Sequence, residues 1–204
     1  MTHILAVQGS PRLKGNTSIL LDAVLDGARE HGASVERIDL AKLSIAECDG
    51  CCVCWKGKEC PKRDDMNGLY PKIIEADAIV FGTPVYWYGP TALLKAFVDR
   101  FVYFNCPENR AKVQGMRAAT VIPYEETEHE TVAPVLAFFE KSFAYLEWSL
   151  VGHVIAPGVG KLGEVREHPE FLQQARELGA RVAAVGRRSY PPAPLPPEGG
   201  NGHA

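Results

Sequence analysis

Two hydrophobic periods alternate along this chain. His3 to Gln8 is an almost unbroken apolar run, the pattern of a strand covered on both faces in a parallel sheet. In the following NTSILLDAVLDGAREHG, Leu21, Val24, Leu25 and Ala28 recur at i, i+3, i+4 and i+7. That spacing predicts a helix, with Asn16 or Thr17 as its cap and Gly32 as its stop. Ser34 to Leu40 reads as a second strand, and a long connection then leads to a helix containing Leu69, Ile73 and Ile74. Pro71 is expected in the first turn of that helix, or to break it. Ala78 to Phe81 forms a third strand, and Pro90 is placed to open a helix with the apolar stripe Leu94, Phe97, Val98 and Phe101. Arg117 to Ile122, Thr131 to Tyr145, His153 to Ala156 and Pro169 to Val185 continue the alternation as strand, helix, strand and helix. Strands and helices in strict alternation predict an α/β protein with an open, doubly wound parallel sheet. Residues 1–190 form one domain on this reading. Pro191 to Ala204, PPAPLPPEGGNGHA, has no periodicity and is expected to be a disordered tail.

Composition changes this picture little. With 46% hydrophobic and 23% charged residues in 204, the chain can bury a core without disulfide staples. A formal net charge of −3 gives no field for nucleic acid or an anionic membrane, so neither is expected as a partner. The N-terminus carries no basic segment followed by an apolar run and a small-residue cleavage site, and no window approaches eighteen apolar residues. A cytoplasmic protein is expected.

Chemistry concentrates in three connections. The turn after the first strand, Gly9-Ser10-Pro11-Arg12-Leu13-Lys14-Gly15-Asn16-Thr17-Ser18, precedes a helix N-terminus. Its amides can cradle an anion, with hydroxyl and amide donors on Ser10, Asn16, Thr17 and Ser18 and a charged fork on Arg12. It lacks both G-x-G-x-x-G and the lysine of a P-loop, and so suits one terminal phosphate of a mononucleotide. Alternatively it is only a capped helix after a glycine turn. The turn after the third strand, Gly82-Thr83-Pro84-Val85-Tyr86-Trp87-Tyr88-Gly89-Pro90, sets three aromatics between prolines, with a glycine at each side to free it. Such side chains wall a flat ring or cap a core or an interface. A phosphate cup and an aromatic wall at adjacent strand ends are together what a flavin mononucleotide needs.

The third connection holds Cys48, Cys51, Cys54 and Cys60 at C-x2-C-x2-C-x5-C, and with Cys52 it packs five of six cysteines into thirteen residues. In a reducing compartment such a run is metal-binding or redox-active more often than disulfide-bonded. Three readings are open: a [4Fe–4S] cluster, unligated or redox-active thiols, and zinc. Cys52 is expected to point away, and isolated Cys106 to be buried. Asp64-Asp65 reads as a helix cap, Asp99-Arg100 as a structural ion pair, and the apolar Phe101-Val102-Tyr103-Phe104 as a dimer face.

GSPRLKGNTS, CDGCCVC with CPKRDDM, and ADAIVFGTPVYWYGPTALLKAFVDRF resemble the flavodoxin-like NAD(P)H-dependent FMN reductases, especially their iron–sulfur flavoprotein branch, over roughly residues 1 to 105. The resemblance implies a flavodoxin-like five-stranded sheet in the order 2-1-3-4-5. It implies FMN held through its phosphate by Ser10, Arg12, Asn16, Thr17 and Ser18, and through its isoalloxazine by Pro84, Val85, Tyr86, Trp87 and Tyr88. NAD(P)H would be the co-substrate, no catalytic side chain would be needed, and Cys48, Cys51, Cys54 and Cys60 would be the cluster ligands. Electrons would leave to a small-molecule acceptor or a ferredoxin-type carrier, from a homo-oligomer. An iron–sulfur flavoprotein serving ferredoxin without NAD(P)H is one alternative, and a zinc- or partner-binding regulatory module is another. Relatives often carry a glycine-rich turn after the fourth strand, where this chain has Pro123-Tyr124-Glu125-Glu126-Thr127.

Overall fold

The structure, a computed structural model, describes residues 1–184 and 186. The expected tail from Pro191 lies outside the described residues. Five strands, β1 (His3–Gln8), β2 (Ser34–Asp39), β3 (Ala78–Gly82), β4 (Arg117–Pro123) and β5 (Ser149–Ala156), form one sheet in the order β2-β1-β3-β4-β5. Every pairing is parallel, so this is the flavodoxin-like, doubly wound sheet with every strand's carboxyl end on one side. The helices are α1 (Asn16–Glu30), α2 (Met66–Glu75), α3 (Ala92–Asp99), α4 (Pro107–Val113), α5 (His129–Tyr145) and α6 (Pro169–Ala183).

Alternate residues of the central strands feed two separate cores, because successive side chains point to opposite sheet faces. Ile4, Ala6, Val80 and Val121 pack under α1 and α6, whereas Leu5, Val7, Phe81 and Ile122 pack under α2, α3 and α5. Both faces being covered, β3 and β4 are buried throughout, which is why they read as continuous apolar runs. Among the described residues no helix is long and apolar enough to cross a membrane.

Several local expectations are corrected. The cap of α1 is Gly15, with no side-chain hydrogen bond, because the Asn16 amide is committed elsewhere. Thr91 caps α3 by accepting from the Leu94 amide, so the helix opens after Pro90 rather than on it. Pro71 sits inside α2, which neither starts there nor breaks. The fifth strand begins at Ser149, four residues early, because the register slips between Ala118 and Ala119 and this bulge on a half-exposed edge strand hides the alternation. The stripe of α3 continues through a 3-10 stretch, Arg100–Asn105, that buries Phe104 in the core and takes it off the expected dimer face, while Phe101, mostly buried, still lines a surface groove with Val102. Cys106 is buried as expected.

Candidate functional site

The connections after β1 and β3 are joined to each other before they meet any ligand. The Gly9 amide donates to the Gly82 carbonyl at 2.8 Å, and the Thr91 hydroxyl donates to the Gly9 carbonyl. A side chain at Gly9 would meet Gly82 O and Leu94 Cβ at 2.8 Å, closer than atoms pack, so only glycine lets the two loops approach this far. Thr83 accepts from the Thr91 amide and closes the same junction. The loops after β4 and β5 are zipped likewise: Val159 N donates to Tyr124 O, and Gly158 N to Glu126 O.

These four loops enclose a cleft of about 130 Å³ lined by Ser10, Arg12, Asn16 and Thr17 on one side and Pro84, Val85 and Tyr86 on the other. Seven of the ten residues expected at a flavin site therefore meet in one place. Ser10 and Thr17 form its buried floor, and the Ser10 hydroxyl turns the loop by accepting from the Arg12 amide. The Arg12 guanidinium donates to Gly160 O at 3.4 Å. Asn16 donates to Val159 O and Lys161 O and accepts from Val165 N, binding the connection before α6 to the start of α1. Ser18 does not line the cleft; its hydroxyl accepts from Arg37.

The donor set fits a phosphate. Gly15 leaves the first amides of α1 without a side-chain cap, and the first turn carries no acidic residue to repel an anion. The opposite wall is acidic at Glu125, which lies against Gly160. The enclosed volume is below the roughly 300–1,000 Å³ typical of ligand pockets, so it fits the phosphate end of a nucleotide and leaves a ring to the open rim.

At that rim Tyr86 and Gly89 exchange both backbone hydrogen bonds, at 2.9 and 3.0 Å, around a two-residue turn. Its central residues are Trp87 and Tyr88, at φ 51° and 61°. The sequence suggested glycine freedom here, yet the two aromatics themselves take the left-handed conformation, which such side chains adopt at a cost. Trp87 is 96% and Tyr88 61% exposed, so both stand clear of the enclosed part of the cleft. Pro123, Tyr124 and Glu125, from the segment that stands where relatives often carry a glycine-rich turn, also line it, as do Val159 and Gly160, to which the sequence assigns no role. The sequence signal for Val159 and Gly160 is the turn Gly158-Val159-Gly160, which places the glycine-rich turn after the fifth strand rather than the fourth.

The cysteine loop hangs between β2 and α2. All six cysteines of the chain are free thiols. Burial pushes the Cys54 thiol up, and the sulfurs of Cys60, Cys48 and Cys51 push it the same way. The four expected ligands thus act on one another, while Cys52, at φ 53°, donates its thiol to Gly50 O within the loop. Among the described residues no three His, Cys, Asp or Glu side chains gather as closely as a single metal ion requires. A zinc ion draws its sulfurs to about 2.3 Å from one centre, whereas a cuboidal cluster spreads its ligands over four irons. The donor set, four free thiols, is one that a cuboidal cluster uses and that a tetra-thiolate zinc site uses too.

The loop closes at its base. Asp65 accepts from Ser44 N at 2.7 Å and Asp64 from Ala46 N at 3.0 Å, so the acidic pair ties down the loop; only Asp64 reaches forward, to Met66 N. The expected Asp99-Arg100 pair does not form: Asp99 takes Lys95, and Arg100 turns inward to Asp64 at 2.6 Å. Burial alone would raise the Asp64 pKa, but the hydrogen bonds from Arg100 and Ala46 N outweigh it and hold the carboxyl below its usual range.

A family model described as NADPH-dependent FMN reductase matches residues 2–138. An iron–sulfur flavoprotein of Archaeoglobus fulgidus is 32% identical over 186 residues, covering 90% of this chain and 80% of that one. An iron–sulfur flavoprotein of Methanocaldococcus jannaschii is 31% identical over 185 residues, covering 89% and 96%. Among solved structures, the NAD(P)H:quinone oxidoreductase from Methanothermobacter marburgensis has a TM-score of 0.69 at 21% identity over 88% of this chain and 98% of that one, a likeness of fold.

Proposed function

The chain belongs to the NADPH-dependent FMN reductase family, near its iron–sulfur flavoprotein branch, and from that premise we propose that it is an FMN-dependent oxidoreductase fed by NAD(P)H. The observation that carries the proposal is the meeting of two loops, far apart in sequence, in one cleft: Ser10, Arg12, Asn16 and Thr17 face Pro84, Val85 and Tyr86. Bound FMN would supply the chemistry, accepting hydride from a nicotinamide and donating electrons to an acceptor. The protein's part is to hold and orient. Ser10, Thr17, Arg12 and the first amides of α1 hold the phosphate. Pro84 to Tyr86 wall the ring, and Trp87 and Tyr88 extend that wall along the open rim. Asn16 acts one step back, by keeping the connection before α6 against the phosphate loop. Ser18 contributes its place in the first helical turn rather than its hydroxyl.

Cys48, Cys51, Cys54 and Cys60 would hold a [4Fe–4S] cluster, whose chemistry is one-electron transfer. The acceptor would be a small molecule or a ferredoxin-type carrier. A reducing, cytoplasmic setting is part of this reading, since a clustered cysteine run there is metal-binding or redox-active more often than disulfide-bonded. Self-association belongs to the same reading, supported by an apolar groove of about 380 Å³ between Val98 and Val102 on one side and Phe138 and Tyr145 on the other.

The test is an absorption spectrum with iron, sulfide and zinc analysis on anaerobically purified protein, followed by rapid mixing with NADPH. Yellow protein bleached by NADPH supports the proposal. Yellow protein with iron and sulfide that NADPH leaves oxidised favours the ferredoxin-linked alternative. Colourless protein that takes up no FMN and carries zinc favours the regulatory module.

A further inference from the structure

We propose that Arg100 is the positioning residue of the cysteine loop: its buried guanidinium joins the two ends of the loop and fixes the Cys60 sulfur under a permanent positive charge. The inference rests on the reading of Cys48, Cys51, Cys54 and Cys60 as cluster ligands and says what the rest of the chain does for them.

Arg100 is 1% exposed and among the largest fully buried side chains. One arm, Nη1, donates to Ala46 O at 3.0 Å and to Asp64 Oδ2 at 2.6 Å; the other, Nη2, donates to Cys60 Sγ at 3.3 Å. Ala46 precedes the first ligand cysteine by two residues, and Asp64 follows the last by four. A single planar group therefore joins the residues that flank the run on either side to one ligand sulfur. Lysine, a point charge on a flexible stem, has no such fork. A guanidinium keeps its charge in proteins even when buried, and Asp64 stands opposite it as its counter-charge. The Tyr70 hydroxyl donates to the Arg100 carbonyl and fixes the backbone from which the side chain projects. The other cation tied across the loop, Lys62 on Asp49 at 3.2 Å, lies toward solvent, where water and salt screen it.

Two consequences follow from general chemistry. Four thiolates converging on one centre repel each other, and a fixed cation at one of them offsets part of that repulsion. One-electron reduction of a cluster adds a negative charge, so a hydrogen bond and a cation at a ligand sulfur favour the reduced form and raise the potential.

The experiment compares the full chain with Arg100→Lys and Arg100→Met, each purified anaerobically and reconstituted with ferrous iron and sulfide. Three quantities are read: bound iron and sulfide per FMN, iron affinity against a competing chelator, and the midpoint potential of the cluster in a redox titration. Arg100→Lys keeps a charge opposite Asp64, and is expected to keep FMN, to lose iron affinity about 10–100-fold as outer-shell partners do, and to titrate at lower potential. Arg100→Met is expected to keep FMN and accumulate no cluster. Wild-type iron affinity and potential in the lysine variant would overturn the assignment. Loss of FMN together with iron in both variants would overturn it too, since the guanidinium would then hold the whole fold rather than the loop. A parent protein that binds FMN but takes up neither iron nor sulfide would sink the cluster reading itself, a failure seen before any variant is made.

Discussion

The cleft and the cysteine loop sit on the same side of one sheet, and they are built on opposite plans. The cleft is held by many neutral contacts between four connections: Gly9 on Gly82, Thr91 on Gly9, Asn16 on the Val159 to Val165 segment, and Val159 on Tyr124. Each links strand ends that the sheet already fixes, so the site exists before a ligand arrives. Between its tied ends the polar contacts the cysteine loop makes within itself are short-range turns, such as Cys51 N on Asp49 and Trp55 N on Cys52 O, and the Lys62–Asp49 bridge. Its long-range polar order runs chiefly through the Arg100 guanidinium, which reaches Asp64, Ala46 O and the Cys60 sulfur, while Cys54 is buried and Cys60 packs against the core. A site shared among many weak bonds should lose function in small steps, whereas one hung on a buried charge should fail in a single step.

The largest effect should therefore come from Arg100→Met. Leaving the nearly buried Asp64 with only its two amide donors is expected to cost about 3 kcal/mol, the low end for a broken buried pair, read in urea unfolding, while the FMN dissociation constant of the folded protein stays unchanged. A cost below about 1 kcal/mol would mean the pair behaves like a surface salt bridge, and the contrast between the two regions would collapse. The reciprocal change on the cleft side is Gly9→Ala. Its added methyl meets Gly82 O and Leu94 Cβ at 2.8 Å, which predicts about 1–3 kcal/mol of overpacking strain and weaker FMN binding. Iron uptake by the cysteine loop should not change; if it falls as well, the two regions are coupled through β1 and β3.

How far the sequence reached divides along similar lines. Strands β1, β3 and β4 were legible because burial on both faces writes itself as an apolar run. Strand β5 was half legible, since a bulge and an exposed edge remove the alternation that marks a strand. In the cleft, the residues that contribute side-chain chemistry could be read from Ser, Thr, Arg and aromatic types. Pro123, Tyr124 and Val159-Gly160 carry no such signal, because their residue types in that setting do not mark a binding role, and Glu125 reads as an ordinary surface carboxylate. Asn16 looked like a cap because caps and tertiary bridges use the same amide, and only the fold decides between them. Arg100 was misread for a related reason: its neighbour Asp99 is an obvious partner in sequence, but the turn after α3 sends the two side chains apart. The cysteine spacing was plain, yet spacing alone does not tell a cluster from free thiols.

Smaller effects test the cleft from within. Arg12 is exposed, so its contact with a phosphate is worth the low end of a charged hydrogen bond. Arg12→Ala should weaken FMN binding by about 1.5 kcal/mol, roughly tenfold in dissociation constant, without altering the stability of the apoprotein. An unchanged constant would remove Arg12 from the phosphate site and leave the amides of α1 as the anchor.

The smallest effect separates folding from binding most sharply, because one substitution should move them in opposite directions. Trp87 holds φ at 51° with its side chain 96% exposed. An L-residue in that conformation gives up about 1–2 kcal/mol, and little packing is visible to compensate. Asparagine tolerates the left-handed region far better than tryptophan. Trp87→Asn should therefore raise the thermal stability of the apoprotein by up to about 1 kcal/mol, while weakening FMN binding if the indole walls the ring. Higher stability with unchanged FMN affinity would leave Trp87 outside the flavin site. Lower stability would show that the indole is packed in solution, and the strain would then be offset by contacts within the protein rather than by a ligand.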